Sequence, residues 1–259
     1  MRILLLTQSD RLYLPTSLAV VCRSLGRDLV AVISAPAMST HGTFIRGVTR
    51  HFRLFGLSGT VIIVRRILAA AFRGLFPVRS SGPFVSLRAV CKAFNVPFHV
   101  VRKVNGPGFQ ALVDRYNPEL LVSLSCPQII RQSVRQQFPM GCINVHGAPL
   151  PRYRGLMPAF WSLRFGEVVT AVTVHVLDEK LDNGDIMLQR AVIISPEDTW
   201  DSLVRKTKAA AAETLIETIE AIRAGTVERR PNLEAEATYF SFPTAVDRKA
   251  FLAAGRRFF

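Results

Sequence analysis

Two short apolar runs near the start, 3–7 (Ile-Leu-Leu-Leu-Thr) and 29–34 (Leu-Val-Ala-Val-Ile-Ser), lie either side of a stretch, 17–25, whose Leu18, Val21, Cys22 and Leu25 share one helical face. Apolar runs this short read as buried strands. Strand, helix, strand in this order implies parallel pairing, because parallel strands need a crossover. That constraint sets the class: α/β, with a mostly parallel sheet. The rhythm returns as a helix over 111–116, a strand over 120–123, a helix over 129–138 and a strand over 140–145. A helix over 155–165 follows, then strands over 171–177 and 186–194 around a turn-rich loop, 178–184. A long amphipathic helix over 199–224 ends at Gly225. Residues 10–15 read as a loop, and Gly106-Pro107-Gly108 as a turn before a helix rather than a phosphate loop.

The 259 residues fit one large domain with a small extension. The expected division is a catalytic domain over 1–195 and a C-terminal helix with a short appendage over 196–259. The tail, 226–259, carries Pro231, Pro243, Tyr239, Phe240, Phe242, Phe251, Phe258 and Phe259. A separate β-barrel needs more chain, so the tail is expected to pack on the main domain. Tyr239, Phe240 and Phe242 are expected to pack there too, with a lid or base-stacking role as the alternative. Phe258 and Phe259 are candidates for a homodimer contact.

The strand over 140–145 leads into Ile-Asn-Val-His-Gly-Ala-Pro-Leu-Pro-Arg-Tyr-Arg-Gly (143–155), and Thr-Ala-Val-Thr-Val-His-Val-Leu-Asp-Glu-Lys-Leu-Asp-Asn-Gly-Asp-Ile follows at 170–186. Ligands of open α/β sheets collect outside the carboxyl ends of the strands, and Asn144 and His146 sit at such an end. Alternation along a strand puts both on one face, with Val145 opposite. Asp182 stands on the loop beyond. An amide, an imidazole and a carboxylate suffice to move an acyl group onto an amine: the first two can donate to an oxyanion, the third can orient the imidazole and take up a proton. His175, alternating with Thr173 and Leu177, is expected to make a buried structural hydrogen bond.

Asn-x-His, then Leu-Pro-x-Tyr-Arg-Gly, then Leu-Asp-x-Gly-Asp resembles the folate-dependent formyltransferase family, densely over about 120–190 and thinly over the rest of 1–225. The resemblance implies a Rossmann-like fold, N10-formyltetrahydrofolate as the formyl donor and no metal. It implies catalytic roles for Asn144, His146 and Asp182, with Asn144 and His146 donating to the oxyanion. It implies a folate pocket between two loops, with Ser125, Pro127, Gln128, Ile129 and Ile130 on one and Leu177, Asp178 and Lys180 on the other. Ala148 stands where the family has a serine. Among acceptors, the short tail points to a nucleotide-linked amino-deoxysugar, GDP- or dTDP-linked, of the kind built into surface glycans such as the lipopolysaccharide O-antigen. The alternative is methionyl-tRNA formyl transfer. A non-catalytic relative and a folate hydrolase rank below both.

Charge bears on that choice. The chain carries a formal +14, and between Asp28 and Asp114 there is no acidic residue. That interval holds Arg46, Arg50, Arg53, Arg65, Arg66, Arg73, Arg79, Arg88, Lys92, Arg102 and Lys103, a field that attracts phosphate, nucleic acid, acidic lipid or a folate tail. Nucleic acid is the lesser expectation. Cys22, Cys91, Cys126 and Cys142 have no metal-ligand spacing and are expected to be reduced core thiols of a cytoplasmic protein. No uninterrupted apolar run reaches transmembrane length, and the first run is too short for a signal peptide. Segment 56–76 puts Val61, Val64, Leu68, Ala71, Phe72 and Leu75 on one side of a helix. It is expected to be a crossover helix packed on the sheet with its arginines outward, the alternative being an interfacial helix on anionic lipid.

Overall fold

A computed structural model describes residues 1–36, 44–74 and 84–259, of which 44–48 by backbone alone. Leu75, Phe76 and Arg79, and the side chain of Arg46, lie outside the described residues. Nine strands are described: β1 (Ile3–Gln8), β2 (Leu29–Ala35), β3 (Phe98–Val100), β4 (Leu120–Leu124), β5 (Cys142–His146), β6 (Arg154–Gly155), β7 (Val169–Val176), β8 (Ile186–Ile193) and β9 (Tyr239–Phe240). Seven form one sheet in the order β3-β2-β1-β4-β5-β7-β8, and β6 pairs with β9 apart from it. The first five strands of the large sheet are parallel, as the helical crossovers require. β7 and β8 run antiparallel, joined by the 177–185 loop. The mostly parallel α/β sheet expected from the sequence is therefore the observed one.

Alternate residues of β1 enter different cores, which explains its unbroken apolar run. Ile3 and Leu5 pack with α1 (Leu14–Leu25) and the long C-terminal helix. Leu4 and Leu6 pack with Phe109 and Val113. The intervening helices are α2 (Phe44–Arg73), α3 (Leu87–Ala93), α4 (Pro107–Tyr116), α5 (Gln132–Arg135) and α6 (Pro158–Arg164). α7 (Trp200–Ala224) begins with a reciprocal cap between Thr199 and Ser202 and ends at Gly225 in the left-handed region, φ 68°. It buries Leu203, Leu215 and Ile219 against α1, β7 and β8. All four cysteines are free, with Cys22, Cys91 and Cys142 buried.

Three expectations are corrected. The helix expected over 129–138 shrinks to α5, because side chains take the backbone groups a helix would use. The Asn105 amide donates to the Ile129 carbonyl (2.7 Å) and its oxygen accepts from the Arg131 N–H (2.8 Å). The helix expected from Gly155 begins only at Pro158, because Arg154–Gly155 pairs with Tyr239–Phe240. Gly155 sits at φ 99°, and a Cβ there would lie 2.2 Å from the Phe240 carbonyl oxygen.

The third correction is α2. The helix breaks at Gly56 (φ 68°), and beyond it the apolar stripe expected to pack on the sheet faces outward. Its residues Thr49–Arg73 are, by length and composition, long and apolar enough to cross a membrane, a property that counting unbroken apolar runs missed.

The tail lies against the body. In α8 (Ala245–Ala253), Phe251 is buried on Phe160 with ring centroids 4.8 Å apart, and Phe258 lies over both. Phe259 packs beside Phe55 and Trp200. Phe258 is buried by these contacts and Phe259 half-buried. Phe240 stacks on Tyr153 and Trp161, and Phe242 lies under the Arg50 guanidinium, while Tyr239 stays exposed.

Candidate active site

β5 is held by parallel β4 on one side and antiparallel β7 on the other, which sets Ser123 and His175 opposite Asn144. Ile143 and Val145 go into the α7-side core, so Asn144 and His146 share the other face. His146, His175 and Asp182 are buried, and Asn144 is half-buried. Asp182 comes from the β7–β8 loop in the left-handed region, φ 51°.

The three residues expected to act together converge. The Asn144 amide Nδ2 is 3.4 Å from Asp182 Oδ1, and His146 Nδ1 is 3.6 Å from Asp182 Oδ2. His146 Nε2 is 2.8 Å from the Tyr153 carbonyl. A carbonyl can only accept, so Nε2 carries the hydrogen and Nδ1 is the ring atom turned to the carboxylate. This differs from the expected free imidazole donor, since the Nε2–H is already given to Tyr153.

His175 joins the cluster. Its Nδ1 lies 2.8 Å from the Val176 carbonyl and so carries the hydrogen. Its Nε2 then accepts from Asn144 Nδ2 at 3.1 Å and stands 3.7 Å from Asp182 Oδ1. The buried hydrogen bond expected for His175 exists, but its partner belongs to the site. The sequence could not show this, because it depends on the β5–β7 register.

Burial by itself raises the Asp182 pKa. The attraction of a protonated His146, a hydrogen bond that His175 Nε2 can donate only once it too is protonated, and the Gly155 N–H (2.9 Å) outweigh that and hold the carboxyl at about 2. The group is therefore ionised throughout the neutral range.

The Asp182 loop is anchored by the tail. Asn232 Nδ2 donates to the carbonyls of Asp182 (2.9 Å) and Gly184 (3.1 Å). Asn232 Oδ1 accepts from Arg154 Nη2 (2.9 Å), and Arg154 Nη1 meets Glu234 Oε2 at 2.6 Å. The Tyr153 N–H donates to Thr238 Oγ1 (2.8 Å), and the Arg154 N–H to the Thr238 carbonyl (2.9 Å). Sequence reasoning passed over Asn232, because Pro231-Asn232-Leu233 reads as an ordinary turn.

The two loops expected to hold a folate meet at one apolar cluster, where Ile130, Cys126 and Leu177 pack with Val134, Phe138 and Cys142 on the Asn144 side of β5. Ile129 is exposed. Gln128 is spent on bracing: its Nε2 donates to the carbonyls of Pro36 (2.7 Å) and Arg102 (3.0 Å), and its Oε1 accepts from the Val104 N–H (3.0 Å). Asp178 closes a turn onto the Lys180 N–H and Asn183, leaving the Lys180 side chain exposed. Pro127 lies in the turn after β4. Ser125, at φ 63°, accepts from Lys208 Nζ at 2.5 Å. Burial pushes the Lys208 pKa down, against the opposing pull of Asp10. Sequence reasoning did not single out Lys208, because on a helix rich in alanine a lysine reads as solvated surface.

An open cleft of about 340 Å³ is lined by Arg154, Lys180, Leu181, Glu234, Thr238 and Tyr239 among others; Asn144, His146 and Asp182 are not in its lining. The loop neighbouring Asp182 forms one wall and the tail the other.

Residues 90–219 match a protein family described as formyl transferase. The methionyl-tRNA formyltransferase of Geobacter metallireducens is 33% identical over 153 residues, which cover 59% of this chain and 49% of that one. The chain spans about half the length of the curated relatives it matches. Among solved structures, an N-formyltransferase from Helicobacter canadensis, in complex with folinic acid and dTDP-3-aminofucose, shares the fold at a TM-score of 0.60 and 15% identity. That match covers 98% of this chain and 80% of the other. Phosphoribosylglycinamide formyltransferase from Anaplasma phagocytophilum does so at a TM-score of 0.61 and 16% identity, over 94% and 99% of the two chains.

Proposed function

The chain belongs to the formyl transferase family, and from that premise we propose that it transfers a formyl group from N10-formyltetrahydrofolate to the primary amine of a nucleotide-linked amino-deoxysugar. The convergence of Asn144, His146 and Asp182 around one point carries the reaction type. The amine nitrogen bonds to the formyl carbon, the bond from that carbon to the donor nitrogen breaks, and the amine proton must move to the leaving nitrogen.

Distances divide the labour. The Asn144 N–H toward Asp182 is held at 3.4 Å, more weakly than the one on His175 at 3.1 Å, so it is the donor a developing oxyanion takes. Such a donor contributes about 3 kcal/mol. A carboxyl held at about 2 is a poor resting place for a proton. His146 Nδ1 is the better acceptor, with Asp182 stabilising the imidazolium and Tyr153 fixing the ring through Nε2. Half-buried Cys126 and Leu177, one from each loop expected to hold the folate, lie against the core on the Asn144 side and are where the pterin is placed in this reading.

The cleft lined by Leu181, next to Asp182 in the chain, supports a small acceptor: its volume falls in the range of small-molecule sites, with Lys180 on one wall to meet a phosphate and Tyr239 on the other to meet a base. We place the enzyme in the cytoplasm, supplying a precursor of surface glycan such as O-antigen. Four free thiols fit a reducing compartment. A second reading, transfer to methionyl-tRNA, is favoured by the +14 charge and by the 33% identity to that class. The test is incubation with the formyl donor and either a panel of amino-sugar nucleotides or charged initiator tRNA, read by mass spectrometry. Formylated sugar supports the proposal. Formylated tRNA with no sugar product replaces the acceptor, and no product with either removes the reaction.

A further inference from the structure

We infer that the outer face of α2 docks on an anionic membrane surface with the helix lying in the plane of the interface. A helix of a globular protein turns its apolar stripe to the core. Beyond Gly56, α2 does the reverse. Leu57, Val61, Val64 and Leu68, at successive spacings of four, three and four, form one stripe and are 71%, 47%, 47% and 63% exposed, with Ile67 beside them at 40%.

The inner face holds the helix in that orientation. Gly59 is buried, and a Cβ there would lie 3.1 Å from the Phe259 ring. Ile63 packs on the core. Arg66 donates to Asp201 at 2.6 Å, with its guanidinium 5.3 Å from the centre of the Phe259 ring. Before the break, Leu54 and Phe55 are buried, and Arg248 Nε donates to the Leu54 carbonyl at 2.9 Å. Rolling the stripe inward would cost the contacts of Gly59, Ile63 and Arg66.

Charge identifies the occupant. The exposed Arg65 flanks the stripe, Arg53 and Arg73 stand exposed toward the two ends, and no acidic residue occurs between Asp28 and Asp114. A second copy of the same face would set these cations against one another with no carboxylate from the segment to offset them. Anionic headgroups neutralise them while acyl chains receive the leucines and valines, and the arginine stems reach past the stripe to the headgroups. The helix is long enough to span a bilayer, but standing upright it would have to leave Asp201 and Phe259 and take Arg65 and Arg66 into hydrocarbon.

Co-sedimentation of the purified protein with vesicles tests this. Vesicles of phosphatidylcholine with about a third phosphatidylglycerol are expected to bind at least about ten-fold more protein than pure phosphatidylcholine, with binding falling as salt rises. Leu68→Glu and Arg65→Glu, both at exposed positions, are each expected to reduce binding about ten-fold or more with the melting temperature unchanged. Three results overturn the inference. One is equal or no binding to the two vesicle types. Another is a dimer in light scattering that Leu68→Glu dissolves, which assigns the face to a second copy. The third is resistance to alkaline carbonate extraction, which means the helix spans.

Discussion

The site is assembled from two regions that are positioned by different physics. Asn144 and His146 ride on β5, whose backbone is held on both edges by strands of the same sheet. Asp182 rides on a loop in a left-handed conformation, and what fixes it comes from far along the chain: the Gly155 N–H, two hydrogen bonds from Asn232, and Arg154 behind Asn232. Sheet pairing positions a side chain as a by-product of folding the core. Loop placement must be supplied by particular polar contacts, and each of these can be removed singly.

The sharpest way to separate the two regions is to remove the chemistry of each without its scaffold. Asn144→Ala is expected to lower kcat by about 10²–10³-fold, the loss of one oxyanion donor, with little change in melting temperature. Asp182→Asn keeps the shape of the carboxylate but ends its attraction for a protonated His146, and a loss of about 10³-fold is expected. Steady-state kinetics beside a thermal melt checks both. An Asp182→Asn protein with undiminished kcat would remove the acid from the mechanism.

Asn232→Ala tests the brace itself. Asn232 touches no reacting group in this account. Its loss frees the carbonyls of Asp182 and Gly184 and leaves the Arg154 fork short of one acceptor. A shift of about 1 Å in a positioned group costs up to about 10²-fold, so a ten- to hundred-fold fall in kcat is expected. Because Asn232 acts through Asp182, the double variant Asn232→Ala/Asp182→Asn should be hardly slower than Asp182→Asn alone. Full additivity would mean that the tail acts on the rate by some other route.

These contacts also show what a sequence reveals. Asn144 and His146 are legible because strand periodicity of two places them on one face whatever the neighbouring strands are. His175 was legible as a buried hydrogen-bonding residue but not as a member of the site, since only the pairing of β5 with β7 sets it opposite Asn144. Asn232 carries no local signal, sitting in a turn-like stretch, and Arg154, though part of the Leu-Pro-x-Tyr-Arg-Gly motif, gives no hint there of its partner. Their partnership spans 78 residues. The α2 face fails for a different reason: periodicity defines a stripe but not the direction in which it points. The shortened α5 shows side-chain bonds from Asn105, remote in sequence, displacing a helix that local propensity favoured.

The loop-borne carboxylate also leaves a mark on stability. In the folded chain Asp182 is held at about 2, below its ordinary 3.8. The folded state therefore binds that proton less readily than the unfolded chain. Its contribution, about 2 kcal/mol, is fully present above pH 4 and is lost as the pH falls from about 3.8 towards 2. Urea unfolding of wild type across that interval should show this loss, and Asp182→Asn should remove it. An unchanged slope would mean that the carboxylate is no better accommodated in the folded chain than in water.

The smallest expected effect marks where the contrast between the two regions stops. His146 is placed by β5, but the orientation of its ring is set by the Tyr153 carbonyl, and the Tyr153 N–H is held by Thr238 of the tail. Thr238→Val removes that hydroxyl at nearly constant volume, at a cost of about 1 kcal/mol. If the ring depends on this contact, kcat falls several-fold while the donor KM stays unchanged. Thr238→Ser, which restores the hydroxyl, recovers the rate. A Thr238→Val protein that loses stability but keeps its kcat would show that sheet pairing alone suffices for His146, and that the tail serves only the acid.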